Sequence, residues 1–422
     1  MRLLKLEFKR ILKTRSTWVF LGAALLLSVL MAYIPRTFVQ YSYMDDSGKQ
    51  ITVSGSRAME IINEKQAPYA GEVTPDKVQT ALETYQACIA EYGPTNSEDF
   101  PLNVYNEKIL PIQPYIHLLR EVYADSRTGT AADLMKLGPE DAGRIYEQCR
   151  EHLDSLMKME QKDYPDAQNK AAAYFAKVEQ PYEYYPGYNK DATDYLVLYL
   201  LLLEFICVLL AAPVFSSDYQ TKADDIQRCT RHGRIRLAAV RTAVMLILAS
   251  VIVAAGSGIF LLLTRALFGE ECMGSSMQML YSAVSLSNLD LWHLLLAGAG
   301  TGFLTITAAV LCTLMISSRC RSVTVTAIFG MVLCLLPVII GQVGSGNLAG
   351  WIRCILPTGG LGLGNCFLYE LFDFKFLHLG GRSFWVPHAM LAALAVEIPL
   401  FWGLTVCFYN RHMAKEQIAE SV

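Results

Sequence analysis

The sequence predicts an all-α polytopic membrane protein with six transmembrane helices, cytoplasmic N- and C-termini, and a mainly helical extracellular domain between helices one and two. Three observations lead there. Six stretches are apolar and close to the ~20 residues that a helix needs to cross about 30 Å of hydrocarbon. The short loops alternate between basic and base-poor along the chain. One connection, from Pro35 to Asp194, is far longer and more polar than the rest.

The spans read as Trp18–Ile34, Tyr195–Phe215, Val240–Leu263, Leu291–Ile316, Val323–Gly341 and Val386–Phe408. Lipid offers no hydrogen-bond partner to an exposed backbone, so each of these runs must be helical. A hydrophobic content of 53% averages these segments with an ordinary polar domain. The net charge of -3 hides a division: the insert 35–194 carries more acid than base, whereas the loops on the other side are basic. An acidic insert argues against nucleic acid as a partner.

Orientation follows from the basic residues, because short loops rich in Lys and Arg stay in the cytoplasm. Arg2, Lys5, Lys9, Arg10, Lys13 and Arg15 precede the first span. Lys222, Arg228, Arg231, Arg234 and Arg236 lie between spans two and three, Arg319 and Arg321 between four and five, and Arg411 and Lys415 after six. Between spans three and four stands only Arg265. Both termini, including the tail 409–422, are therefore expected inside, and the insert outside. Within residues 1–17, Leu4, Phe8, Ile11 and Leu12 share one helical face while Lys5, Lys9 and Lys13 line another. Such a helix lies in the membrane interface with its Lys stems snorkelling, or serves as a plain flank of the first span. A cleaved secretory signal fits less well: the apolar run is long, and Met31 to Pro35 offers no small-x-small cleavage site.

The insert opens with a predicted hairpin, in which Val39, Tyr41 and Tyr43 alternate, Asp46-Ser47-Gly48 turns, and Ile51 and Val53 alternate again. Thr74-Pro75 caps a helix whose face is Val78, Leu82, Tyr85, Ile89 and Tyr92, stopped by Gly93-Pro94. Gly138-Pro139 begins another, with Ile145, Cys149, Leu153 and Leu156 in register. Tyr182, Tyr184, Tyr185, Tyr188 and Tyr195 lead back to the second span and read as an interfacial aromatic belt. The eleven cysteines lack metal-ligand spacing. Cys207, Cys312, Cys334 and Cys407 fall inside spans as small apolar residues. Cys88 and Cys149 lie on or beside the apolar stripes of two outer helices, a placement that suits a disulfide and equally suits two buried thiols.

No G-x-x-x-x-G-K-[ST], H-E-x-x-H or G-x-S-x-G signature occurs, and no cofactor is expected. Gly359, Gly360, Gly362 and Gly364 follow Pro357 without the Lys-Ser or Lys-Thr that holds phosphate, and predict a tight re-entrant turn. This chain is not expected to hydrolyse ATP itself.

The most specific stretch is the connection 216–239. It runs Phe215-Ser-Ser-Asp218-Tyr219-Gln-Thr-Lys222-Ala-Asp224-Asp225, and later Cys229-Thr-Arg231-His-Gly233-Arg234-Ile-Arg236-Leu. With the basic N-terminal helix, the single large insert and five further spans, it resembles the membrane subunit of type-two ATP-binding-cassette exporters. That family has an apolar span ending in Phe, an acidic-aromatic pair and a threonine-rich turn before a Gly-Arg or Ser-Arg step. Asp218-Tyr219 and Thr230-Arg231-His232-Gly233-Arg234 fit, and Lys222 stands where glycine is common. The resemblance implies a permease in a cell membrane, bacterial by type, working with a separate ATP-binding subunit and with a second copy of itself or a sister permease. It also implies that Asp218, Tyr219, Asp224, Asp225, Arg228, Arg231, Arg234 and Arg236 form the contact with that subunit. The plainer reading is a basic loop that only fixes topology.

Glu204 and Glu397 fall at similar depth near the middle of spans two and six. A charge there costs at least a few kcal/mol unless it meets water, a partner or a proton. They line a path for a cationic or hydroxyl-bearing amphiphile, or else hydrogen-bond neighbouring helices as neutral acids. Gly298-x-x-x-Gly302 permits close helix approach. Three functions remain open: an exporter subunit for an amphiphilic peptide, antibiotic or lipid; a surface receptor or secretion accessory using the outer domain; and a proton-coupled secondary transporter using Glu204 and Glu397. The last lacks the internal repeat such folds commonly show.

Overall fold

Among the described residues, six helices are long and apolar enough to cross a bilayer, as expected of a multi-pass membrane protein. The computed structural model describes residues 2–230, 233–344, 346–364 and 366–419, without the side chains of Arg228 and of 411–419. The spans are Arg15–Thr37, Asp191–Ala211, Ile235–Phe268, Leu291–Ser317, Val323–Val343 and the apolar part of Val386–Ala419. Each contains its sequence-predicted segment except the second, which breaks at Ala212 and continues as Pro213–Thr221. Most helices also overrun the predicted ends, since hydropathy marks the hydrocarbon while the hydrogen-bond ladder runs on into polar surroundings.

Among the six, the second and fourth spans are the most enclosed and the first, fifth and sixth the least. The outer spans turn Leu26, Val29, Ile328, Phe329, Val396 and Leu400 outward. Apolar surface on that scale suits lipid rather than water. Glycines let the inner helices approach: an added Cβ on Gly302 would meet Leu200, and one on Gly330 would meet Val208. Gly298 instead receives Leu368 from the short helix Phe367–Phe372.

An amphipathic helix, Arg2–Leu12, precedes the first span, as its periodicity predicts. In the insert, Gln40–Met44 pairs with Gln50–Ser54, setting Tyr41 opposite Val53 and Tyr43 opposite Ile51. Helix Pro75–Tyr92 starts at Thr74, whose hydroxyl accepts from the Lys77 amide, and ends at Gly93 with φ +82°. The helix expected from Gly138 is split into Pro139–Gly143 and Ile145–Glu160. Cys88 and Cys149 are both buried, free thiols, the second of the two arrangements their placement suits. Burial pushes the Cys149 thiol up to about 12.

The tyrosines before the second span depart from a lipid-facing belt. Tyr182 and Tyr184 are buried in protein, where their hydroxyls donate to the Ala283 carbonyl and to Gln66 Oε1. A phenol so placed has its polar end satisfied and its ring enclosed, which removes any reason to face lipid. The insert is further tied to the hairpin Phe376–Leu379 and Arg382–Trp385 that leads into the sixth span. Asp166 accepts from the Ser383 amide at 2.7 Å, and Lys170 donates to the Ser383 carbonyl at 2.7 Å.

The glycine-rich stretch forms the expected re-entrant turn. After helix Asn347–Ile355 the chain passes between the fourth and fifth spans, where Thr358 donates to the Leu333 carbonyl at 2.8 Å. Gly360 lies so close to Thr305 that a Cβ would collide with its hydroxyl. Thr305 and Leu333 are mid-helix residues, so the turn reaches deep into the bundle. A buried ion pair, Arg353 with Glu370, joins its two arms. Gly360→Val should therefore overpack the site, at a cost of about 1–3 kcal/mol, and lower the thermal midpoint of the detergent-solubilised protein. Gly300→Ala, which meets open space, should leave that midpoint in place.

Candidate functional site at the second to third span connection

Pro213 deprives the second span of an internal hydrogen bond, and an apolar setting leaves no water to replace it. Ser317, at the end of the fourth span, serves the exposed backbone. Its hydroxyl accepts from the Phe215 and Ser216 amides at 3.2 and 3.1 Å and donates to the Ala212 carbonyl at 2.7 Å. One turn on, the Tyr219 hydroxyl donates to the Ser318 carbonyl at 2.9 Å. The extension Pro213–Thr221 is thereby pinned to the fourth span.

Lys222 then ends that extension and begins the short helix Ala223–Arg228. Its φ of 55° is left-handed, and among the described residues it is the one non-glycine with positive φ. The position where glycine is common in the resembled pattern thus demands glycine-like geometry, which costs a side-chain-bearing residue about 1 kcal/mol.

Four charges alternate on the inner side of this connection. Arg241, from the third span, has a side chain only 2% exposed and forms an ion pair with Asp218. It also lies 3.4 Å from Glu7 and donates to Gln227 Oε1 at 2.9 Å. Arg10 approaches Asp218 at 3.3 Å and Glu7 at 3.0 Å, and donates to the Val214 carbonyl at 3.2 Å. Burial, then the charge of Arg241, lowers the Arg10 pKa, while Glu7 and Asp218 oppose the shift. Two acids and two arginines cancel, as a low-dielectric site requires, because each uncompensated buried ion costs several kcal/mol. The Arg241 guanidinium also sits 5.9 Å above the Phe215 ring, which packs on Tyr409 of the sixth helix.

Of the residues singled out in sequence, Asp218 and Tyr219 point inward and hold the connection. Asp224 is half-buried; Asp225, Arg234 and Arg236 are exposed. Arg231 and the Arg228 side chain lie outside the described residues. Sequence reasoning missed Glu7, Arg241, Gln227 and the pairing of Arg10. The available signal was Glu7, a lone acid in a basic segment, together with Arg241 at the mouth of an apolar span.

At mid-depth, Glu204 and Glu397 are buried, and none of their carboxyl oxygens finds a hydrogen-bond partner among the described residues. Among the described residues no cluster of His, Cys, Asp and Glu is arranged to hold a metal.

Removing one member of the charge cluster should hurt more than removing a pair. Arg241→Met leaves Asp218 without its main partner and should destabilise by about 3–5 kcal/mol. Arg241→Met with Asp218→Met should cost clearly less than the sum of the single changes, read from thermal unfolding in detergent as a double-mutant cycle. Simple additivity would show that the two residues do not act as a unit. Comparison with protein-family models, curated proteins and solved structures gives no match, so function rests on the geometry of this site itself.

Proposed function

We propose that this chain is the permease subunit of an ATP-binding-cassette exporter, moving an amphiphile across a cell membrane with energy from a separate ATP-binding subunit. A second copy or a sister permease completes the pathway. The observation that supports this most is the short helix Ala223–Arg228, tied to the third span through Gln227 and Arg241 while presenting Asp225 and a 76% exposed Ile226 to solvent. Together these offer a partner one charged and one apolar contact on a helix fixed between two spans. The basic loops put this face in the cytoplasm, where ATP is, and the insert outside.

Force on the short helix has a defined route. Asp218 passes it to the third span through Arg241, and Ser317 and Tyr219 carry it to the fourth. Both routes lead to helices beside Glu204 and Glu397, whose unpartnered carboxyls suit a cationic or hydroxyl-bearing substrate. The same two acids favour a second reading, proton-coupled transport without an ATPase.

Charge reversal at Asp224→Lys with Asp225→Lys should weaken recovery of an ATP-binding subunit from native membranes, with stimulated ATPase activity and export falling together. An intact complex with normal stimulation would remove the connection as the coupling element. Export that survives full loss of the ATPase, yet responds to Glu204→Gln or Glu397→Gln between pH 5 and 8, would establish the proton-coupled reading instead. A tag near Gly129 should be reachable only from outside; cytoplasmic labelling there would invert the orientation and with it the docking.

A further inference from the structure

Beside the charge cluster lies a cleft of about 360 Å³ between the start of the first span and the end of the second. Its polar wall carries the hydroxyls of Thr14, Ser16 and Thr17 on one side and of Ser217 and Thr221 on the other, with Arg10 paired to Asp218 between them. Thr14 donates to the Arg10 carbonyl, Ser217 to Pro213 and Thr221 to Ser217. The hydroxyls of Thr14, Ser217 and Thr221 have therefore spent their protons on the backbone and keep acceptor capacity. Such a wall accepts hydrogen bonds and has little to offer a bare phosphate.

Lys13 and Arg15 flank the lining residues in sequence, are exposed, and form no ion pair among the described residues. Arg10 lines the cleft itself. The deeper wall is apolar, formed by Phe20, Leu209 and Leu210. Trp18, 61% exposed with its indole donating to the Leu12 carbonyl at 2.8 Å, marks this level as the membrane interface.

We propose that this cleft binds one anionic phospholipid with a hydroxylated headgroup, of the phosphatidylglycerol type. Its phosphate meets Lys13, Arg15 and Arg10, its headgroup hydroxyls donate to Thr14, Ser217 and Thr221, and its acyl chains leave along Phe20 and Leu209. The lipid bridges the N-terminal helix and the second-span extension, the same two segments that Arg10 and Asp218 join. This site stands independently of the transport reading.

The test uses the full chain, purified in neutral detergent and titrated separately with phosphatidylglycerol, phosphatidylcholine and glycerol 3-phosphate. Phosphatidylglycerol should raise the thermal midpoint by about 5 °C at saturation, and native mass spectrometry should retain one such lipid per chain. Phosphatidylcholine and glycerol 3-phosphate should do neither. Ser217→Leu, which fills the cleft, should abolish the increment. Should that variant not fold, Ser16→Leu at an exposed position should reduce it, and Lys13→Gln with Arg15→Gln should erase the preference over phosphatidylcholine. Equal stabilisation by both lipids, an equal shift from glycerol 3-phosphate, or an unchanged increment in the folded cleft variants would overturn the assignment.

Discussion

Charge neutrality in a place without water constrains everything on the face of the bundle opposite the insert. Arg241 is carried into the interior by an otherwise apolar helix, where its guanidinium is met by two carboxylates. Asp218 comes from the second-span extension and Glu7 from the N-terminal helix, and each then accepts Arg10 as well. Segments more than 200 positions apart are fixed together by this one requirement. Buried ion pairs add little net stability over well-packed apolar side chains. What they add is direction: apolar contacts between helices allow sliding, whereas a guanidinium shared by two carboxylates and Gln227 holds register.

Glu204 and Glu397 present the opposite solution to the same problem. Among the described residues no cation pairs with them, and their carboxyl oxygens are buried without a hydrogen-bond partner. Ionisation of either acid therefore requires water, a cation or a rearrangement of the helices. The re-entrant turn fills the bundle at a comparable depth, with Thr358 bonded to the Leu333 carbonyl and Gly360 against Thr305.

The spans were legible in sequence because lipid imposes a length and a polarity that no other environment imposes together. Local chemistry was legible for the same kind of reason: Thr74 and Gly93 bound their helix through their own side-chain and backbone properties, and the glycines after Pro357 turn as expected. Direction was not. The pattern around Asp218 marked it as special, but whether it faces a partner or the interior depends on Glu7 and Arg241, which are remote in sequence. The tyrosines before the second span failed for a related reason, since aromatic composition is the same whether the ring meets lipid or Ala283 and Gln66. The break at Arg144 left no trace in the apolar register, because Ile145, Cys149 and Leu153 keep their spacing on the second helix.

The insert is attached by a logic that mirrors the opposite face. Asp166 and Lys170 hold the two backbone groups of one residue, Ser383, in the hairpin that feeds the sixth span. Asn347, at the head of the re-entrant helix, exchanges two hydrogen bonds with the backbone of His378 in the same hairpin. Bonds to backbone hold position regardless of the side chain at the receiving end, so a tilt of the insert is carried to the sixth span and to the re-entrant turn at once. Glu397 lies on that sixth helix and Thr305 beneath that turn. The bundle is thus held by ion pairs on one face and by hydrogen bonds to backbone on the other.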